Sequence, residues 1–336
     1  MSVFPIDFQI AHMAHWLVTG GAGFIGSHLV EALVARGHTV RVLDNFSTGR
    51  LENLAAVLDR IEVVTGDVRD PCVVREAARG TDVVAHLAAV VSVQASLEDP
   101  RTTMAVNVEG TLNVLEAART AGARVLFASS AAVYGDHTVL PLEEDLSPRP
   151  LSPYAASKAA GEALCRAYHA AFGLSTLSLR FFNVYGPRQD PRSPYSGVIS
   201  IFVDRMQRGL PPVVYGDGLQ TRDFVYVADV VEAVIRAGER GRSDGLALNV
   251  ARGEEIRILD LIALLNGILS TGLEPVFAPP RAGEVYRSAG SPRRLESVLG
   301  WRPQVELKEG LTRLVRETGF RFRADAFDFW AVWGYN

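Results

Sequence analysis

The stretch WLVTGGAGFIGSHLVEALVARG, residues 16–37, sets Gly20, Gly23 and Gly26 between an apolar run and an amphipathic one. Glycine lets the backbone turn sharply and lets other groups come close to it. The spacing therefore predicts a strand that ends in a tight turn and leads straight into a helix. The N-terminus of such a helix offers unpaired N–H groups and the positive end of its dipole, which suit a pyrophosphate. Gly20, Gly23, Phe24, Ile25 and Gly26 are the candidate residues for that task. The next apolar run, HTVRVLD, ends in Asp44. A carboxylate at that place can accept hydrogen bonds from both hydroxyls of an adenosine ribose and would repel a 2′-phosphate. Asn45 follows, where a phosphate-binding cation would otherwise stand, so the pattern favours NAD over NADP. The plainer alternative is that Asp44 only terminates a strand.

Apolar runs alternate with helical patterns through the first half of the chain. HWLVTG, HTVRVLD, IEVVTGD, DVVAHLAA, RVLFASS and STLSLRFFN each read as short buried strands, with amphipathic stretches at 24–36, 98–120 and 154–172 between them. This alternation predicts an α/β fold: a Rossmann-type doubly wound parallel sheet with helices on both faces and catalytic groups beyond the carboxyl ends of the strands. After about residue 183, Pro, Gly and Arg cluster in YGPRQDPRSPYSG and RGLPPVVYGDGLQTRDF, which predicts long loops. DVVEAVIRAGER and LDLIALLNGIL read as further helices. The expected division is a dinucleotide-binding domain over 15–182, to which the chain returns at about 223–250, and a smaller, loop-rich α/β substrate domain over 183–222 and 251–320. Residues 1–14 and 321–336 are set apart as terminal extensions, the second unusually aromatic.

The 336 residues carry a formal net charge of −4, which implies no general attraction to nucleic acid or to a membrane surface. No apolar run approaches the roughly 20 residues that span a bilayer, and the opening segment lacks the basic and apolar regions of a secretory signal. Cys72 and Cys165 make neither a metal-spaced cluster nor a disulfide framework. These features predict a cytoplasmic protein with reduced thiols and no metal.

Lys158 and Lys308 are the only lysines in a chain that otherwise uses arginine. In SPYAASKAAGEA, residues 152–163, Lys158 stands four residues after Tyr154, so on a helix the two share one face. A tyrosine with its ordinary pKa of about 10 is a poor base at neutral pH. A neighbouring ammonium and a positive nicotinamide both favour the phenolate and are expected to lower that value. A compact ammonium with three donors can also hold a ribose beside the phenol, a task that arginine's flat fork suits poorly. The alternative is a solvated pair on an ordinary helix.

These segments, together with GDVRD, HLAA, NVEGT, SSAAVYG, RFFNVYGPRQ, RDFVYVADV and RAGEV, resemble the extended short-chain dehydrogenases/reductases, in the NAD-dependent branch of nucleotide-sugar epimerases and dehydratases. The likeness runs from about residue 15 to 320. It implies that Asp67 and Val68 flank the adenine, that Ala88 lines the cofactor cleft and that Asn107 braces the central strands. It implies that Ser130 joins Tyr154 and Lys158 in catalysis by bonding the reacting sugar oxygen and relaying its proton, while Ser129 is structural. It gives Asn183 to the substrate phosphates, the segment Val198–Phe202 to a uracil pocket and Arg222 to the diphosphate. Arg281 and Glu284 fall to phosphate and uridine ribose, and Ser288 to the border of the sugar's 2-substituent.

The reaction implied is epimerisation at C4 of a UDP-sugar through a transient 4-keto sugar, with no net redox change. A tyrosine at the place of Ser288 restricts room for an N-acetyl group, so the small serine predicts UDP-N-acetylglucosamine/galactosamine, with or without the UDP-glucose/galactose pair. A UDP-glucuronate 4-epimerase is a close rival. A dehydratase is disfavoured because Ala132 stands where family dehydratases usually carry an acid, and a non-catalytic NAD-binding regulator is disfavoured by the intact Ser130, Tyr154 and Lys158. Relatives in this family pair through the helices matching 98–120 and 154–172, which implies a homodimer.

Overall fold

The computed structural model, which describes residues 13–191, 197–239, 244–280 and 285–318, is built on a seven-stranded parallel sheet. Six of its strands are the expected apolar runs: β1 (His15–Thr19), β2 (Thr39–Asp44), β3 (Glu62–Thr65), β4 (Val83–His86), β5 (Arg124–Ser130) and β6 (Thr176–Phe181). The short strands β7 (Asn183–Tyr185), β8 (Val213–Tyr215), β9 (Thr221–Arg222) and β10 (Phe224–Tyr226) follow. Then β11 (Asp244–Val250) returns to pair in parallel with β6 as the seventh strand. After it come β12 (Ile256–Arg257) and β13 (Val276–Ala278). The order across the sheet is β3-β2-β1-β4-β5-β6-β11. It reverses between β1 and β4, and the crevice beyond such a switch point is where sheets of this kind bind ligands.

The helices are α1 (Phe24–Ala35), α2 (Pro71–Ala77), α3 (Val93–Glu98), α4 (Pro100–Met104), α5 (Gly110–Ala121), α6 (Pro153–Phe172), α7 (Val198–Gln207), α8 (Val227–Glu239), α9 (Ile258–Leu269), α10 (Arg293–Leu299) and α11 (Leu307–Glu317). The single amphipathic stretch expected over 98–120 is broken. Pro100 disfavours helical geometry in the residue before it, and Asp99 leaves the helix to cap α4 by accepting the Thr102 N–H at 3.0 Å. A π-turn over 105–109 then leads into α5.

On β1, Trp16 and Val18 face one apolar cluster, while Leu17 faces a second that holds Leu43, Val84, Val125 and Phe127. Both sheet faces are buried, which is why the strands read as unbroken apolar runs. The first cluster continues into the second half of the chain through Phe202, Tyr226, Leu261 and Leu311. Helix α6 lies directly on β5: a Cβ at Gly161 would sit 2.3 Å from the Phe127 ring. Among the described residues no helix is long and apolar enough to cross a membrane. The aromatic extension 321–336 lies outside the described residues.

Candidate functional site

Gly20 turns the chain out of β1 with φ +70°, and a Cβ there would come within 2.8 Å of the Ala88 backbone nitrogen beyond β4. The glycine loop and the β4 loop therefore touch across the switch point. Gly23 supplies no capping side chain to α1, and the first turn that begins with Phe24 and Ile25 carries no acid, so its N–H groups and dipole are left to an anion. Asp44 is buried at the end of β2, accepting the Ala22 N–H at 2.9 Å and the Phe46 N–H at 2.8 Å. A carboxylate has about four lone-pair sites, so it retains acceptor capacity for ribose hydroxyls. Asn45 donates to Asp67 at 2.9 Å, and Arg69 grips the same carboxylate and holds it far below the usual carboxylate range. Val68 is buried beneath, against Gly110. An open glycine turn, a bare helix start and an acid beside the ribose position fit a dinucleotide without a 2′-phosphate.

The floor of this crevice is a hydroxyl–imidazole chain that sequence reasoning missed. Thr19 Oγ1 accepts the Ala88 N–H at 3.2 Å and lies 2.8 Å from His86 Nδ1. Thr111 Oγ1 donates to the Asn107 carbonyl and lies 3.0 Å from His86 Nε2. These roles assign a neutral imidazole with its proton on Nε2. Burial, with Lys158 adding to it, pushes His86 down to about 3. Asn107 clamps the β4 loop by accepting the Val90 N–H and donating to its carbonyl, and it reaches across to the Ser157 hydroxyl on α6 at 2.9 Å.

Ser130 ends β5, and Tyr154 and Lys158 stand on α6, which opens with Ser152 as its cap and Pro153 in its first turn. The Ser130 hydroxyl accepts the Ala132 N–H at 3.1 Å and lies near enough to the Tyr154 phenol to favour its phenolate. The chain's own groups do not lower the phenol as expected: burial pushes Tyr154 up, with the Ser130 bond opposing it. The reason is geometric. Lys158 donates from Nζ to the Ala128 carbonyl at 2.7 Å and lies over the rings of Phe127 and Tyr154, 5.1 and 6.0 Å from their centroids, not at the phenol oxygen. Burial pushes Lys158 down to about 8, opposed by Glu162 one turn further on. Glu162 is itself buried, accepting from the Arg180 guanidinium at 2.9 and 2.7 Å and from the Ser129 hydroxyl at 2.5 Å. Sequence reasoning passed over both members of that pair.

The expected substrate residues lie in the second half. Asn183 is exposed on β7, Arg222 is half-buried on β9 and Ser288 is half-buried. Val198 opens α7 half-buried, but Phe202 is 2 % exposed within the core. Spaced four residues apart, the two share one face of α7. Arg281 and Glu284 lie outside the described residues.

The sequence profile of the NAD dependent epimerase/dehydratase family matches residues 16–251. The UDP-glucose 4-epimerase of Mycolicibacterium smegmatis is 43% identical over 304 residues, covering 89% of this chain and 96% of that one. The fold is similar to the Thermus thermophilus UDP-glucose 4-epimerase in complex with NAD, with TM-score 0.83, 42% identity and coverage of 93% and 99%. It is also similar to a UDP-N-acetylglucosamine 4-epimerase from Methanobrevibacter ruminantium in complex with UDP-N-acetylmuramic acid, with TM-score 0.86, 35% identity and coverage of 90% and 97%.

The buried His86 yields a pH prediction. Its folded pKa is depressed, so between pH 6.5 and about 3 the unfolded chain binds the extra proton and stability falls as pH drops through that window. The contribution is roughly 3–5 kcal/mol. Denaturation midpoints of the wild type and His86→Gln, followed across that range, are expected to show a shallower acid decline in the variant. Parallel declines would contradict the neutral, buried imidazole.

Proposed function

The chain belongs to the NAD-dependent epimerase/dehydratase family, and from that premise we propose that it is a UDP-sugar 4-epimerase, an isomerase, with Ser130, Tyr154 and Lys158 as its catalytic residues. The observation that carries this reading is the convergence of Ser130, at the end of β5, with Tyr154 and Lys158 of α6, on the strand next to the β1/β4 switch point. NAD, when bound, supplies a reversible acceptor for the hydrogen on sugar C4. Gly20, Gly23, Phe24, Ile25 and Gly26 hold its pyrophosphate, and Asp44 its adenosine ribose. Asn45, Asp67 and Val68 border the adenine. Ala88 lines the cleft, and Asn107 keeps the cleft wall against α6.

Tyr154 takes the proton from the sugar's 4-hydroxyl and later returns it, and Ser130 bonds the same oxygen and relays the proton. Burial holds the free phenol neutral, so its ionisation depends on positive charge gathered in the crevice, to which Lys158 contributes in its protonated form. Lys158 also keeps two donors beyond the one given to Ala128, available to a ribose. The sugar nucleotide is held by Asn183, the segment Val198–Phe202 and Arg222, with Arg281 and Glu284 at phosphate and uridine ribose. Ala132 offers a half-buried methyl next to Ser130, where elimination of water would call for an acid. Ser288 leaves room for an N-acetyl group, which supports UDP-N-acetylglucosamine/galactosamine as substrates, with or without the glucose/galactose pair.

NMR of the purified protein with UDP-N-acetylglucosamine, UDP-glucose and UDP-glucuronate offered separately tests the proposal. The expected products are the C4 epimers of one or both of the first two, with turnover reduced about 10²–10⁴-fold in Tyr154→Phe and a lower acetylated-to-plain activity ratio in Ser288→Tyr. A 4-keto-deoxy product, or full activity in Tyr154→Phe, would refute it.

A homodimer through α4–α5 and α6 is part of the same proposal. Leu97, Met104, Leu112 and Phe172 leave large apolar side chains exposed on α3 to α6, the kind of surface that a partner covers. The mass in solution at micromolar concentration should be twice 36.4 kDa. A monomeric mass would contradict this.

A further inference from the structure

Asp223 follows the expected diphosphate residue Arg222 and has no solvent exposure. Its carboxylate takes three main-chain N–H groups: Oδ1 accepts from Arg252 at 3.0 Å, and Oδ2 accepts from Gly253 at 2.9 Å and Gly290 at 3.2 Å. Its own carbonyl accepts the Asn183 N–H at 2.9 Å. One residue thus bonds to segments that carry three of the expected substrate groups. Asn183 is bonded directly, Arg222 is its chain neighbour, and Ser288 stands two residues before Gly290.

The placement of Ser288 is the most constrained of the three. The Thr221 N–H donates to the Tyr286 carbonyl at 2.9 Å, and the Gly290 N–H donates to Asp223. Residues 286–290 therefore form a short bow fastened at both ends to the residues on either side of Arg222, with Ser288 at its middle. Arg287 and Ala289, which flank Ser288, line a surface cleft of about 460 Å³ shared with Thr138–Pro141, Gly253 and Glu255. On the solvent side the bow is held by Arg287 on Glu255, at 2.8 and 2.6 Å, and by Tyr286 on Asp217, at 2.8 Å. A buried carboxyl group is unfavourable unless its hydrogen-bonding capacity is met, and here three main-chain N–H groups meet it and are held in place by it.

We infer that Asp223 is a positioning residue that sets the distance between Arg222 and Ser288, and so couples the grip on the diphosphate to discrimination at the sugar's 2-substituent. This rests on the substrate roles proposed above for Arg222 and Ser288. Burial also pushes the carboxyl up to about 7, against the pull of its backbone bonds, in keeping with a group that solvent does not reach. An asparagine at this position presents an amide to at least one of the N–H donors, and a glutamate keeps the carboxyl group but displaces the bow.

The experiment compares holoenzymes carrying Asp223→Asn, Asp223→Glu and Arg222→Ala. It measures UDP binding by calorimetry, retained NAD, and kcat and KM for UDP-N-acetylglucosamine and UDP-glucose. Both Asp223 variants are expected to bind UDP about tenfold more weakly, to raise KM more than they lower kcat, and to change the acetylated-to-plain kcat/KM ratio, with NAD retained. Wild-type UDP affinity and an unchanged ratio in a folded Asp223→Glu protein would overturn the inference. If Arg222→Ala loses UDP affinity in that case, the clamp alone is wrong. If Arg222→Ala also binds normally, the substrate assignment falls with it.

Discussion

The buried pair of Glu162 and Arg180 is the interaction on which the proposed catalytic end of this fold depends. Side chains 4% and 2% exposed face each other through two hydrogen bonds at 2.9 and 2.7 Å. Such a pair adds little over an apolar filling, but removing one partner leaves a buried charge and costs about 3–5 kcal/mol. Its value here lies in what it joins. Glu162 is on α6, Arg180 is on β6, and the Ser129 hydroxyl at the end of β5 donates to the same carboxylate. Arg180 stacks over the Tyr134 ring, 4.7 Å from its centroid, and the Tyr134 hydroxyl donates to Asn249 on β11 at 2.6 Å. One ion pair thereby fixes the end of β5, where Ser130 stands, against the helix that carries Tyr154 and Lys158.

Around that weld the site separates charge from neutrality. His86, locked neutral between two threonine hydroxyls, keeps a second cation away from Lys158. Burial raises the Tyr154 phenol and lowers Lys158, each toward its uncharged form. Lowered only to about 8, Lys158 keeps its proton at neutral pH beside an uncharged phenol, so ionisation of the phenol is tied to further positive charge entering that crevice. The second half of the chain is organised differently. There, carboxylates such as Asp223 and Asp229 take backbone N–H groups and fasten short segments to one another, because segments of two or three residues bury too little apolar surface to hold themselves.

What was legible in the sequence was local. Three glycines, an acid at a strand end, and a tyrosine and lysine one turn apart each carry their meaning within a few residues, and the six apolar runs were long enough to announce buried strands. The pairings that arrange the site join residues distant in sequence: Ser129 to Glu162, Asn107 to Ser157, Asp223 to Gly290. No local pattern marks Glu162 as different from a surface glutamate on an alanine-rich helix. The amphipathic stretch at 98–120 concealed a break that Pro100 did signal. Strand β11 begins with Asp-Gly and pairs through an irregular register, which weakens its strand signature.

The direct test of this account separates positioning from stability at the weld. Glu162→Gln leaves Arg180 buried and unpaired, whereas the double variant Glu162→Leu with Arg180→Met replaces the pair with apolar side chains. The account predicts that the double variant regains most of the denaturation midpoint lost in the single one, yet turns over UDP-sugar at least about tenfold more slowly than the wild type, because Ser129 and α6 are no longer tied. Wild-type turnover in a stable double variant would contradict it.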